Sequence, residues 1–309
     1  MHASTCFKFL AVLFLVVPAF SAQALIVSVD CSKKSLATEI GKLNKAAENT
    51  VNVSGNCNEN VVVDGHANLI LNGSAGATIT ATNTPAAIAL RIINSSRVRV
   101  QTLNLGAATG ENRTVVSCEM RSVCVLNDVT IEGGATGVGA QDQAAVDIVG
   151  GSLIINSSDT GLGVFGASSV NVRPCPLLND SCAGLGSISA EISGHTNLGI
   201  VAQDGSFVRT DNARISGNGT GVLVQRGAVV KILGGPGTPV PGAGIIDNEW
   251  GMYLRAATAQ VGGLVSGNAI GIEVAALSFL QNAGITFDAN GQNVACTHPT
   301  AASTGGLCP

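Results

Sequence analysis

The chain has 309 residues, 46% hydrophobic and only 12% charged, with 39 glycines and a net charge of −4. That apolar content, carried by Val, Ile, Leu and Ala, excludes a disordered chain, and glycine falls well short of the roughly one in three of a collagen. The charges are scattered with no basic block, which excludes nucleic acid and anionic membrane surfaces as partners.

The first element in chain order is an export signal. Lys8 precedes the apolar run FLAVLFLVVPAF, and Ser21-Ala22-Gln23-Ala24 closes it with an A-x-A ending. A basic start, a short apolar stretch and a small-residue end make a secretory signal peptide over residues 1–24. The run is shorter than the roughly 20 residues of a spanning helix. The chain is therefore expected to be secreted or periplasmic, with no membrane association after cleavage.

Cysteine usage agrees. Cys6 leaves with the signal, and the others fall as near neighbours: Cys31 and Cys57, Cys118 and Cys124, Cys175 and Cys182, Cys296 and Cys308. Close pairs bracketing loop-like segments in an exported chain read as local disulfides. No C-x-x-C occurs and histidine is scarce, so no metal site is expected, and no cofactor.

In residues 35–47, Leu36, Ile40 and Leu43 share one face of a helix. From residue 49 to 292 the chain is a succession of short alternating runs. Aligned on a Gly that opens an apolar alternation, they repeat at Gly137, Gly161, Gly199, Gly221, Gly251 and Gly271. The period is about 20 to 25 residues once the insertions at 174–186 and 236–243 are set aside. One residue after the Gly stand Val138, Leu162, Ile200, Val222, Met252 and Ile272. Three after it stand Ala140, Val164, Ala202, Val224, Leu254 and Val274. A second run follows, such as AAVDIV, SSVNVR or AVVKIL, and then a third, such as SLIIN, ARISGN or GLVSGN. Asparagine stands three before the next Gly at Asn218, Asn248 and Asn268.

Three short strands per repeat fit one turn of a parallel β-solenoid, with inward residues stacked in apolar ladders. Asn and Gly suit the corners because both tolerate positive φ, and stacked asparagines can bond one another. An antiparallel sandwich or barrel also has frequent strands, but it does not require one residue type at one place in every repeat.

These features resemble the right-handed parallel β-helix proteins of the pectin-lyase-like superfamily. Residues 49–81, NTVNVSGNCNENVVVDGHANLILNGSAGATITA, look like the opening turns of secreted bacterial members, and DCSKKSLATEIGKLNKA, residues 30–46, looks like their N-terminal cap. The resemblance implies an all-β fold with a short capping helix over 35–47, pinned to the first coil by Cys31–Cys57. Residues 25–48 would form the cap, 49–292 the β-helix, and 293–309 a disulfide-tied tail.

The catalytic signatures of that superfamily are missing. Arg173-Pro174 lacks the second Arg of R-x-P-x-x-R. Gly194-His195-Thr196 and Thr210-Asp211-Asn212 stand where GHG and NTD would be sought, and neither GDD nor DPHE occurs. His2, His66, His195 and His298 do not cluster, and His195 reads as a corner residue. Asp204 with Asp211, and Asp247 with Glu249, make no pair suited to glycoside hydrolysis. No carboxylate–arginine constellation on one strand face is apparent. Asp147, Asn171, Arg209 and Lys231 share one outward column and read as a solvated face with an Arg–Lys neighbour pair.

One region has the chemistry of a ligand site. Trp250 and Tyr253 are the chain's single Trp and single Tyr. They share a turn with Arg255 and lie beside Glu273 of the next coil, with the insertion at 236–243 as a candidate wall. Aromatic rings stack on sugar faces, and Arg and Glu bond hydroxyls or carboxylates. The competing reading is an ordinary coil with an Arg255–Glu273 surface pair, worth little. Two functions stand: an exported β-helix that binds or processes an extracellular polysaccharide, or a non-catalytic structural or adhesive surface module. If the chain is an enzyme, the resemblance implies a polysaccharide lyase, hydrolase or epimerase.

Overall fold

The computed structural model describes residues 24–82, 87–107, 113–174, 188–234 and 240–308. Residues 1–23 of the expected signal, and both Cys175 and Cys182, lie outside them. Among the described residues the chain forms short strands and one helix, Leu36–Gly41.

One strand of each coil belongs to a ten-strand sheet. Its members run from Val61–Asp64 and Leu90–Ile93 through Thr114–Glu119, Thr136–Ala140, Thr160–Val164, Leu198–Ala202, Thr220–Gln225, Trp250–Arg255 and Ile270–Val274 to Gln292–Cys296. Every neighbouring pair is parallel and in register, as in Val138↔Leu162, Leu162↔Ile200 and Ile200↔Val222. The second and third strands of the coils make two further faces. They join as one twenty-strand sheet because Thr258–Ser266 runs across both, pairing first with Val229–Leu233 and then with Gly244–Ile246. The architecture is a parallel β-solenoid of about ten coils, as the repeat predicts.

The alternation explains the core. The twelve residues one and three positions after each repeat Gly, from Val138 and Ala140 to Ile272 and Val274, are all 0% exposed. Each buried Val, Leu or Ile side chain contributes about 1.5–3 kcal/mol relative to exposure. Successive coils place these side chains at strand spacing, so the core is one continuous column.

The repeat Gly has a different cause from the one its identity suggests. Positive φ is not involved at Gly199 or Gly221. A Cβ on Gly221 would lie 2.6 Å from the Gly251 carbonyl and 3.0 Å from Asn248 Nδ2, so only Gly lets the coils approach here. Nor do the ladder asparagines adopt positive φ. That conformation falls on the residue just before them: Gly217 (66°), Asp247 (55°) and Gly267 (69°). The left-handed residue turns the chain, and the asparagine after it points inward to bond the next coil.

The helix is shorter than the 35–47 expected. Leu36, Ile40 and Leu43 are buried as predicted. Beyond Gly41, however, Asn44 Oδ1 accepts from the Ala46 N–H at 3.1 Å, and the Asn44 carbonyl accepts from Ala47. That side-chain turn competes with helix and ends it. At the other end Ser35 Oγ accepts from the Thr38 N–H, and Glu59 accepts from the Leu36 N–H (2.6 Å) and the Ser35 hydroxyl (2.7 Å). The first strand, Leu25–Asp30, pairs in parallel with Glu48–Ser54, so stacking already begins ahead of the helix.

Disulfides join Cys31–Cys57, Cys118–Cys124 and Cys296–Cys308, as the close spacings predict. Three disulfides indicate an oxidising, extracytoplasmic environment. No helix among the described residues is long and apolar enough to cross a membrane.

Candidate functional site

Strand Trp250–Arg255 carries the site because its two faces differ. Met252 and Leu254 point into the core at 0% exposure, which turns Tyr253 and Arg255 outward. Trp250 is half-buried and precedes Gly251, where the backbone of the next coil comes close. Parallel register puts Tyr253 between Leu223 and Glu273, and Trp250 between Thr220 and Ile270. Trp250, Tyr253, Glu273 and Thr220 together line a depression of about 350 Å³. That lies near the lower end of the roughly 300–1,000 Å³ usual for small-ligand sites.

Glu273 accepts one hydrogen bond, from Thr297 Oγ1 at 3.3 Å. Among the described residues it faces no cation within ion-pair distance. Arg255 is exposed on the same strand face as Tyr253, in register with Gln225, and stands outside the lining. The Arg255–Glu273 surface pair of the competing reading is not formed. Val240–Ala243, the described part of the insertion, lines a different depression with Gly262, Gly263 and Ala283. Residues 236–239, the rest of that expected wall, lie outside the described residues. That second depression has about 370 Å³ and is lined, among the described residues, by glycines, small and apolar side chains and Thr286, with no titratable side chain.

The structure also brings together a carboxylate–arginine constellation that the sequence reading does not anticipate. Arg91 Nε and Nη2 donate to Glu119 at 3.1 and 2.7 Å, and Ser117 Oγ donates to Glu119 Oε1 at 2.6 Å. Burial pushes the Glu119 pKa up, but the Arg91 and Ser117 hydrogen bonds outweigh it and hold the group below the usual carboxylate range. Glu119 is only 3% exposed and its charge is cancelled by Arg91, so it offers a ligand little. The repeat Gly begins only at Gly137, so the sequence alignment does not extend to these earlier coils.

Asp147, Asn171, Arg209 and Lys231 do share one column of another face. Arg173 pairs with Asp147 at 2.8 Å, Arg209 with Asp211 at 3.0 Å, and Lys231 lies 6.0 Å from the Phe207 ring centroid. The Arg–Lys neighbours are thus each engaged elsewhere on a solvated surface. Cys31, Cys57 and Glu59 lie close enough to hold a cation, but the sulfurs form a disulfide and Glu59 caps the helix. His195 is the corner residue expected: 1% exposed, its pKa pushed down by burial to about 4, and bonded on both ring nitrogens.

No protein-family model matches the chain, and no curated protein matches it in sequence. Among solved structures, the A-module of the mannuronan C-5 epimerase AlgE4 of Azotobacter vinelandii aligns over 87% of this chain and 92% of its own, at 14% identity and a TM-score of 0.38. The A-module of AlgE6 from the same organism aligns over 89% of this chain and 98% of its own, at 15% identity and a TM-score of 0.30. The fold described above rests on the strand register of this chain itself.

Proposed function

We propose that this chain is an exported β-solenoid that binds a polysaccharide on its ten-strand face, at Trp250, Tyr253 and Glu273 with Arg255 alongside. The observation that carries the reading is the grouping of the single Trp and single Tyr around one depression, next to a carboxylate with no ion-pair partner among the described residues. Aromatic side chains offer a rigid apolar plane with little entropy to lose, which suits the C–H face of a pyranose. Hydrolysis is disfavoured, because it requires two carboxyl groups about 5 to 10 Å apart and the depression is lined by one among the described residues. Residues 1–24 would direct export to the periplasm or the medium.

A glycan-array screen of the mature chain tests the proposal, followed by Trp250→Ala and Tyr253→Ala on any ligand found. Loss of binding by about tenfold or more in each is expected. Unchanged binding in both variants would favour the structural or adhesive module.

A further inference from the structure

We infer that the Trp250–Tyr253 site selects a glycan carrying hydroxyl or ammonium donors, and disfavours a polyuronate. The inference rests on the glycan-binding reading above and adds its substrate class. The lining contains two aromatic rings, one hydroxyl from Thr220 and one carboxylate from Glu273. The Trp indole N–H and the Tyr and Thr hydroxyls are neutral donors, and the formal charge in the lining, the Glu273 carboxylate, is an acceptor. Glu273 uses one oxygen toward Thr297 Oγ1 and has the rest of its acceptor sites available.

The charges next to Trp250 in sequence have the same sign as Glu273. Glu249, exposed, immediately precedes Trp250, and Asp247 is exposed two residues earlier. The nearest cation on the strand is Arg255, two residues beyond Tyr253, or roughly 7 Å along the strand. It lies outside the lining and next to the Gln225 column. A sugar carboxylate seated between the rings would therefore meet Glu273 before any cation. A hydroxyl or an ammonium there would donate to it. Near a protein surface, one like-charge contact of this kind at 4–5 Å changes affinity by about fivefold or more. Both donor-bearing classes, neutral hexoses and amino sugars, satisfy the same acceptor, and charge separates them.

Trp250 is the only Trp in the chain, so its fluorescence reports the site directly. The mature protein is titrated at low ionic strength with hexamers of β-1,4-linked glucose, β-1,4-linked glucosamine and galacturonate. The glucose and glucosamine hexamers are expected to bind at least about fivefold tighter than galacturonate. Glu273→Gln should then weaken glucosamine and strengthen galacturonate, each by about fivefold, and change glucose least. Added salt should shrink the gap in the wild type. Galacturonate binding as tight as glucose, lost on Arg255→Ala, would overturn the selectivity and leave the binding site standing. Fluorescence unmoved by all three hexamers would overturn the binding site and the selectivity together.

Discussion

His195 presents Nδ1 to the Ser157 N–H at 3.1 Å and donates its own backbone N–H to Asn218 Oδ1 at 3.0 Å. An imidazole thus occupies the rung that Asn218, Asn248, Asn268 and Asn290 fill in the following coils. Each of those asparagines accepts the preceding rung's N–H on Oδ1 and donates Nδ2 to a coil carbonyl. In His195, Nδ1 takes the part of Oδ1, and Nε2 takes that of Nδ2 by bonding the Ile154 carbonyl at 3.1 Å. Only the neutral ring with its proton on Nε2 does both.

That requirement sets a pH dependence. Burial pushes the His195 pKa from 6.5 down to about 4, against a smaller upward pull from the Ile154 carbonyl. The unfolded chain takes up the proton near pH 6.5, and the folded chain only near pH 4. The neutral ring's advantage is full above pH 6.5 and is lost progressively as pH falls to about 4. The linked loss is on the order of 3 kcal/mol. Thermal melts of wild type and His195→Asn between pH 7 and 4 measure it: the variant keeps the rung without the titration and should lose less stability. Parallel curves would show that other groups account for the acid sensitivity.

Asn248 and Asn268 are the ladder's most connected rungs, and Asn248 shows the pattern. Asn248 accepts from both the Asn218 N–H and Asn218 Nδ2 at 3.0 Å, and its own amide reaches Asn268 Oδ1 and two carbonyls. Asn248→Ala leaves buried donors and acceptors unsatisfied, at a cost of about 1–3 kcal/mol or more. Asn290→Ala, at the more exposed end rung, should cost less. Urea titrations of the two variants rank them, and equal losses would argue that the ladder does not act as a buried network.

Gly221→Ala tests the close approach of coils. The added methyl would sit 2.6 Å from the Gly251 carbonyl and 3.0 Å from Ile245 Cγ2. Both are packed groups that must move, for about 1–3 kcal/mol. Gly227→Ala meets nothing within 4 Å but has φ of 75°, so its penalty is backbone strain alone. A loss in Gly221→Ala matched by no change in ligand binding would separate packing from function, and no loss would contradict the tight spacing.

The coil, its period and its inward residues were legible because each inward position repeats an apolar type at a fixed distance from a Gly. The close disulfides were legible from spacing. The reason for the Gly was not: steric approach between coils and positive φ both select glycine, and only the backbone distinguishes them. The Arg91–Glu119–Ser117 cluster was hidden because its coils lack the Gly that anchors the alignment. For the candidate site, the sequence brought Tyr253 and Glu273 into register. The Arg255–Glu273 pair of the competing reading is geometrically open to a side chain as long as arginine, as Arg173–Asp147 shows on another face, and is not formed. Of the 236–243 insertion, the described part, Val240–Ala243, lines a depression with Gly262 and Ala283.

Adjacent residues on one strand make the last test. Leu254 is 0% exposed in the core column, while Tyr253 projects from the opposite face beside Glu273. Leu254→Ala removes buried methyl groups and opens a cavity, at a cost of about 2–5 kcal/mol. Tyr253→Ala removes a half-exposed ring and should cost less than about 1 kcal/mol, while abolishing glycan-dependent quenching of Trp250. The pair thus separates folding from recognition within a single residue step. Melting curves and fluorescence titrations of both variants read the two effects independently. A loss of stability in Tyr253→Ala as large as in Leu254→Ala would mean the ring is a packing element. Its place beside Glu273 would then be a consequence of the fold rather than of a ligand.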